Sequence, residues 1–172
     1  MRTVLLSTGE TKPLTCLMDD TGVLLVFLRH FGCCFGKEQV KELRMDLPVP
    51  VAFVSQDDQD RTETYRKVHR SPHPFICDPE RQLAEAYGIR RGGVRQVFAP
   101  KIFSRGFGAF LKGNLISLPI GDLWQLPGIV LVGPDERVLW AHHGKDAADN
   151  LSADQLQEIL AKRVPSPNPL GR

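Results

Sequence analysis

The sequence has no long apolar run, and nothing in its 172 residues approaches the roughly 20 consecutive apolar residues of a membrane-spanning helix. The opening segment, MRTVLLSTGETKP, also lacks the apolar length of a secretory signal, so a cytoplasmic location is expected. There is no C-x-x-C pair and no His/Cys cluster at zinc spacing, so neither a metal nor another bound cofactor is expected. Net charge is nearly absent: +2 points to no class of partner, and nucleic acid is not expected. No internal repeat is visible. With only four cysteines (Cys16, Cys33, Cys34, Cys77) in a reducing compartment, burial or redox chemistry explains them better than structural disulfides.

What is present concentrates in residues 25–37, LVFLRHFGCCFGK. The continuous apolar run Val23–Leu28 reads as a strand buried on both faces. It ends in Arg29-His30, and a glycine-bearing loop then presents Cys33 and Cys34 where the spacing of Val40, Leu43 and Leu47 predicts a helix over Lys37–Met45. A thiol there meets the unpaired N–H groups and positive end of the helix dipole. Cysteines so placed have pKa values of about 3.5–7.5 rather than about 8.5, and the thiolate is the reactive form. Arg29, four residues before Cys33, either favours a thiolate or is a solvated charge ending a strand. His30 reads as a surface residue.

The rest alternates. Val49–Ser55 is a second buried strand. Asp60 and Glu63 have capping-box spacing for a polar helix to about Arg70. Pro74–Cys77 is a short strand, followed by a helix that Asp78-Pro79 starts and Gly88 ends. Ile129–Val132 and Val138–Ala141 form a hairpin, and Ser152 caps a last amphipathic helix. Strands alternating with helices, with a late hairpin, give an α/β fold with a mixed central sheet flanked by helices. The chain reads as one domain over residues 1–164, with a flexible tail at 165–172. Between about residues 90 and 121 lies a basic, Phe/Gly-rich insertion without acidic residues. It contains Arg105 and Phe107. Such a loop can cover a hydrophobic, carboxylate-bearing small molecule, or simply pack on the sheet with its charges solvated.

The segment FLRHFGCCFGKEQVKEL resembles the active-site segment of the peroxiredoxin-like 2 proteins, in the alkyl hydroperoxide reductase/thiol-specific antioxidant group. CDPERQLAEAYGI and DLWQLPGIVLVGPDERVLWAHHGKDAAD are similar to two further segments of that family, in the same order. The resemblance implies a thioredoxin-like fold and reduction of a hydroperoxide or endoperoxide through one reactive cysteine. Cys33 takes the place of the family's first active-site cysteine, and its sulfur would become a sulfenic acid. Arg29 would steady the developing charge. The family's second cysteine falls on Gly36, so the reductant would be an external thiol, thioredoxin or a low-molecular-weight thiol. Cys34 and Cys77 are auxiliary or resolving candidates. A Cys33–Cys34 bond would be strained, and burial is the plainer reading for both. Cys77 reaches Cys33 only if its strand lies beside Val23–Leu28. Pro127 falls where thioredoxins carry a cis-proline facing the thiol, which makes it, with Arg105 and Phe107, a substrate-binding candidate. A homodimer is compatible with the sequence. Two other functions are also compatible: a specialised biosynthetic catalyst reusing the same cradle, and a redox-inactive binding module.

Overall fold

The structure is a computed structural model and describes residues 1–94, 96 and 122–164. Among these, seven strands form one mixed sheet: β1 (Thr3–Leu6), β2 (Thr11–Pro13), β3 (Val23–Phe27), β4 (Val51–Ser55), β5 (Phe75–Cys77), β6 (Gly128–Val132) and β7 (Val138–His143). Their order is β2-β1-β5-β4-β3-β6-β7. The inner strands β3, β4 and β5 run parallel, while β6 and β7 on one side and β1 and β2 on the other are antiparallel to their neighbours.

Every residue of β3, β4 and β6 is buried, as continuous apolar runs require when both faces of a sheet are covered. The two-residue period splits each run between two cores. Leu24, Val26, Phe53, Phe75, Ile129 and Leu131 face the helices α1 (Cys34–Glu42), α2 (Gln59–Val68) and α4 (Ala153–Ala161), meeting Val40, Leu43, Tyr65, Leu156 and Leu160. Leu25, Phe27, Val54, Ile76 and Val130 face the short helix α3 (Gln82–Ala86) and the 3-10 turn Leu14–Leu17. Each such side chain, fully buried, contributes about 1.5–3 kcal/mol. Gly22 admits β3 into the sheet at φ 103°, where a Cβ would stand 2.0 Å from the Val132 carbonyl oxygen.

Strands β3 to β7 fall within two residues of the sequence reading, which has no strand at β1 or β2, and the helix starts are where the structure corrects it further. α1 begins at Cys34, three residues earlier than Lys37, and Leu43 caps its end. Cys33 is its extended N-cap residue, and the Cys33 carbonyl accepts the Lys37 N–H at 3.2 Å. Helix α2 is capped by Asp58, not Asp60: the Asp58 carboxylate accepts the Arg61 N–H at 2.9 Å, while Glu63 turns to the Ser7 hydroxyl at 2.6 Å. Asp78 does cap α3, but across a turn. Its two carboxylate oxygens accept the N–H groups of Leu83 (3.0 Å) and Ala84 (2.9 Å). Ser152 and Gln155 form a reciprocal capping box on α4. Among the described residues no helix is long and apolar enough to cross a membrane, and no group of His, Cys, Asp and Glu is arranged to hold a metal ion. The expected tail at 165–172 lies outside the described residues.

Candidate active site

Leu28 extends the parallel ladder one residue past β3, its N–H donating to the Val54 carbonyl at 2.9 Å, and the chain then turns out of the sheet. The turn is closed by the Cys33 N–H on the His30 carbonyl at 2.9 Å. Arg29 and Cys33 thereby come together: the Arg29 Nη1–H points at Cys33 Sγ across 3.4 Å. Both residues are buried, at 6% exposure each. Removing a guanidinium from water without partners is costly, and here it has them. Nε donates to the Gln125 carbonyl at 2.9 Å and Nη2 to the Leu123 carbonyl at 2.7 Å. Two backbone oxygens thus fix the plane of the fork, and its third edge faces the sulfur.

The N–H groups at the helix start do not serve Cys33, contrary to the sequence expectation. As N-cap residue Cys33 makes no capping bond with its side chain. The backbone N–H groups of Phe35 and Cys34 instead reach the Cys34 sulfur. Burial, with Cys33 close by, outweighs them and pushes the Cys34 thiol above its ordinary range. Cys33, Cys34 and Phe35 pack with Ala148 in a small apolar cluster of their own.

Cys77 is not on the strand beside β3. It closes β5, with β4 between them, in register with Ser55 and Leu5. Its thiol is buried and bonded to the Thr62 side chain. Burial, with Asp58, Asp57 and Glu63 near it, pushes its pKa up. All four cysteines are free thiols, and Cys16 is exposed on the 3-10 turn.

Pro127 is buried just before β6, and no peptide bond among the described residues is cis, so the expected cis-proline is absent. Pro127 does reach the underside of the thiol loop. With Arg29, Phe35, Gly36 and Gln39 it lines a cavity of about 10 Å³, room for a single water. His30 is buried rather than at the surface, and its Nδ1 has no partner. Burial, then the charges of Arg29 and Lys37, lower its pKa to about 4, so it is neutral near pH 7. Arg105 and Phe107 lie outside the described residues.

Several residues of the site were not singled out from sequence. Tyr65 stacks on Phe31 of the thiol loop with ring centroids 4.0 Å apart. Burial, and then Cys33, raise its phenol well above the usual range. Gln56 spans the site, donating to the Arg29 carbonyl and to the Asp122 carbonyl (3.0 Å) while accepting the Asp122 N–H at 2.9 Å. Gln125, 2% exposed, donates its amide to the Leu28 carbonyl at 2.6 Å. The one sequence signal for it is that it heads the stretch Gln125-Leu126-Pro127-Gly128 inside DLWQLPGIVLVGPDERVLWAHHGKDAAD, one of the segments that resembles the family.

Residues 37–146 match the model of the family described as AhpC/TSA antioxidant enzyme, a match that starts inside α1 and therefore just after Cys33. The chain is similar to the Peroxiredoxin-like 2C of Homo sapiens, with 24% identity over 179 residues covering 91% of this chain and 76% of that protein. Among solved structures it is similar to a mutant of PrxQ from Xylella fastidiosa, at TM-score 0.64 and 18% identity, covering 94% of this chain and 86% of the other. It is also similar to a structure of the bacterioferritin comigratory protein of Xanthomonas campestris, a protein described for its alkyl peroxide reduction activity, at TM-score 0.57 and 14% identity, covering 94% of this chain and 88% of the other. At such identities the structural likeness is one of fold.

Proposed function

The chain belongs to the AhpC/TSA antioxidant enzyme family, and from that membership we propose that it reduces a hydroperoxide with the sulfur of Cys33 and is reset by an external thiol. The observation that carries this reading is the Arg29 guanidinium held 3.4 Å from that sulfur in a site shielded from water. The Cys33 thiolate attacks the terminal peroxide oxygen. The O–O bond breaks, the sulfur is oxidised to a sulfenic acid, and the leaving alkoxide or hydroxide takes up a proton. With Nε and one Nη2 proton committed to carbonyls, Arg29 keeps further N–H groups for the sulfur and for the oxygen on which charge develops.

No second sulfur near Cys33 has a ready route to the sulfenic acid. Position 36 is glycine, the Cys34 sulfur sits on backbone N–H groups, and Cys77 is bonded to Thr62 across another strand. An external thiol therefore condenses with the sulfenic acid, releasing water and leaving a mixed disulfide, and a second thiol reduces that bond to regenerate Cys33.

Stopped-flow oxidation of the reduced protein by hydrogen peroxide and by an organic hydroperoxide, with intact-mass readout, tests the reading. A gain of one oxygen that Cys33→Ser abolishes is expected. Equal oxidation of the Cys33→Ser variant would overturn it.

A further inference from the structure

The carbonyls that hold Arg29 belong to residues 122–126, a segment with little regular structure of its own: only Gln125 takes part in a bridge, an isolated antiparallel one with Arg91. Side chains from elsewhere in the fold hold it. One of its links runs through the buried Gln125, whose Oε1 accepts the Arg81 Nε–H at 2.9 Å. Arg81 also donates through Nη2 to the Ile89 carbonyl at 3.2 Å, and its Nη1 is 3.9 Å from the Asp122 carboxylate. Around the same carboxylate, Arg91 places Nε at 2.7 Å, and the Trp124 N–H donates to it at 2.9 Å.

Arg81 shows a second, independent anomaly. Its backbone is left-handed, φ 59° and ψ 22°, directly before α3. A long unbranched residue there carries strain that persists only where the surroundings hold it, and such residues cluster at functional sites. Arg81 closes the turn that brings the Asp78 carboxylate to the first N–H groups of α3, its own N–H donating to the Asp78 carbonyl at 3.0 Å, and its side chain makes no cap. What the conformation accompanies is a side chain directed back to Gln125.

We propose that Arg81, acting through Gln125, is a positioning residue for the Arg29 guanidinium, so that reaction at Cys33 depends on an arginine that does not touch it. The path is a continuous set of hydrogen bonds. Arg81 fixes the Gln125 amide, that amide fixes the end of β3 at Leu28, and the Gln125 carbonyl fixes Arg29 Nε. Gln125 thus grips the site arginine from its backbone and the strand that carries it from its side chain. The proposal rests on the peroxide-reducing reading for its kinetic consequence, but not for the geometry.

The test compares Arg81→Ala, Arg29→Lys and the double variant. Arg81→Gln, which keeps a polar side chain in place, serves should the alanine variant not fold. Two readouts are taken: the second-order rate with hydrogen peroxide, and the solvent-exchange rate of the Arg29 Nε–H measured by ¹⁵N NMR. Arg81→Ala should slow peroxide oxidation by about 10- to 30-fold in the wild-type background, the range expected when a charge-assisted contact is misaligned. It should have almost no effect when Arg29 is already lysine, because the two residues act as one unit. The Arg29 Nε–H should exchange faster in Arg81→Ala.

An equal loss in both backgrounds would assign Arg81 to general stability and overturn the proposal. So would an unchanged rate. Should the wild-type sulfur not react with peroxide, the functional reading fails and the Nε–H exchange alone decides: faster exchange in Arg81→Ala sustains the positioning role, and unchanged exchange ends it.

Discussion

A Cβ built on Gly36 stands 3.9 Å from the Cβ of Cys33, with no other atom within 4 Å outside its immediate chain surroundings. Disulfides have Cβ–Cβ separations of about 3.5–4.5 Å. The backbone therefore holds a bridge-ready geometry at a position whose residue has no sulfur.

Gly36→Cys should consequently change the product. One equivalent of peroxide is expected to give an intramolecular disulfide between position 36 and Cys33, seen as a loss of two hydrogens in intact mass and mapped by non-reducing digestion. The wild-type protein should instead show a gain of one oxygen, or an adduct when a small thiol is added. A wild-type disulfide to Cys34 or Cys77 would refute the one-cysteine cycle.

Cys77 should be a bystander. Burial and the surrounding carboxylates keep it as a thiol, and Thr62 occupies it. Cys77→Ser is expected to retain the peroxide rate within about twofold, whereas Cys33→Ser should lose it altogether. Quantifying both with the same stopped-flow assay separates a resolving residue from a structural one.

Arg29 carries two loads, which different substitutions distinguish. Arg29→Lys keeps a point charge without the planar fork, and should cost on the order of 10- to 100-fold in peroxide rate. Arg29→Met also strips the Gln125 and Leu123 carbonyls of their donors, at about 1–3 kcal/mol for each buried group left unpaired. Urea unfolding should show Arg29→Met as markedly less stable than Arg29→Lys. Equal stability would mean that those carbonyls find other donors.

Stability should fall on mild acidification. Burial, followed by nearby cations, lowers the pKa values of His30 and His69 from 6.5 to about 4. In the unfolded chain both imidazoles protonate near 6.5, so between about pH 6.5 and 4 the unfolded state binds more protons and stability drops as pH falls. Above 6.5 this contribution is constant. Urea unfolding at pH 7.5 and pH 5 measures the decline. His69→Phe, which keeps a ring on Tyr65 (centroids 4.3 Å apart in the wild type), should reduce it. Asp57 and Asp78, raised by burial, act in the opposite sense, so the histidine share is read from the variant: a decline that His69→Phe leaves unchanged would show that the His69 ring is not held neutral by the fold.

Much of the sheet was legible because β3, β4 and β6 are unbroken apolar runs, and only full burial explains such runs. The pairing of Arg29 with Cys33 could be suspected from their spacing across a short loop. The start of α1 was misplaced because Gly36 breaks the apolar spacing and cysteine is not a habitual cap. The grip on Arg29 was beyond reach. It is made by backbone carbonyls 94 and 96 residues away in the chain, and a carbonyl leaves no mark in a sequence. His30 was misjudged for a related reason, since a polar residue after a buried strand carries no sign of what packs over it.

Residues 90–92 and 122–126 form a stem. Arg91 bridges Gln125, the Gly92 N–H donates to the Trp124 carbonyl at 2.7 Å, and the Leu126 N–H donates to the Arg90 carbonyl at 3.0 Å. The two ends are thus stitched to each other, and residues 122–126 hold the Leu123 and Gln125 carbonyls on Arg29 while their own backbone is paired with residues 90–92. The mooring of the arginine beside the sulfur is therefore local, knotted where the chain returns to the sheet just ahead of β6.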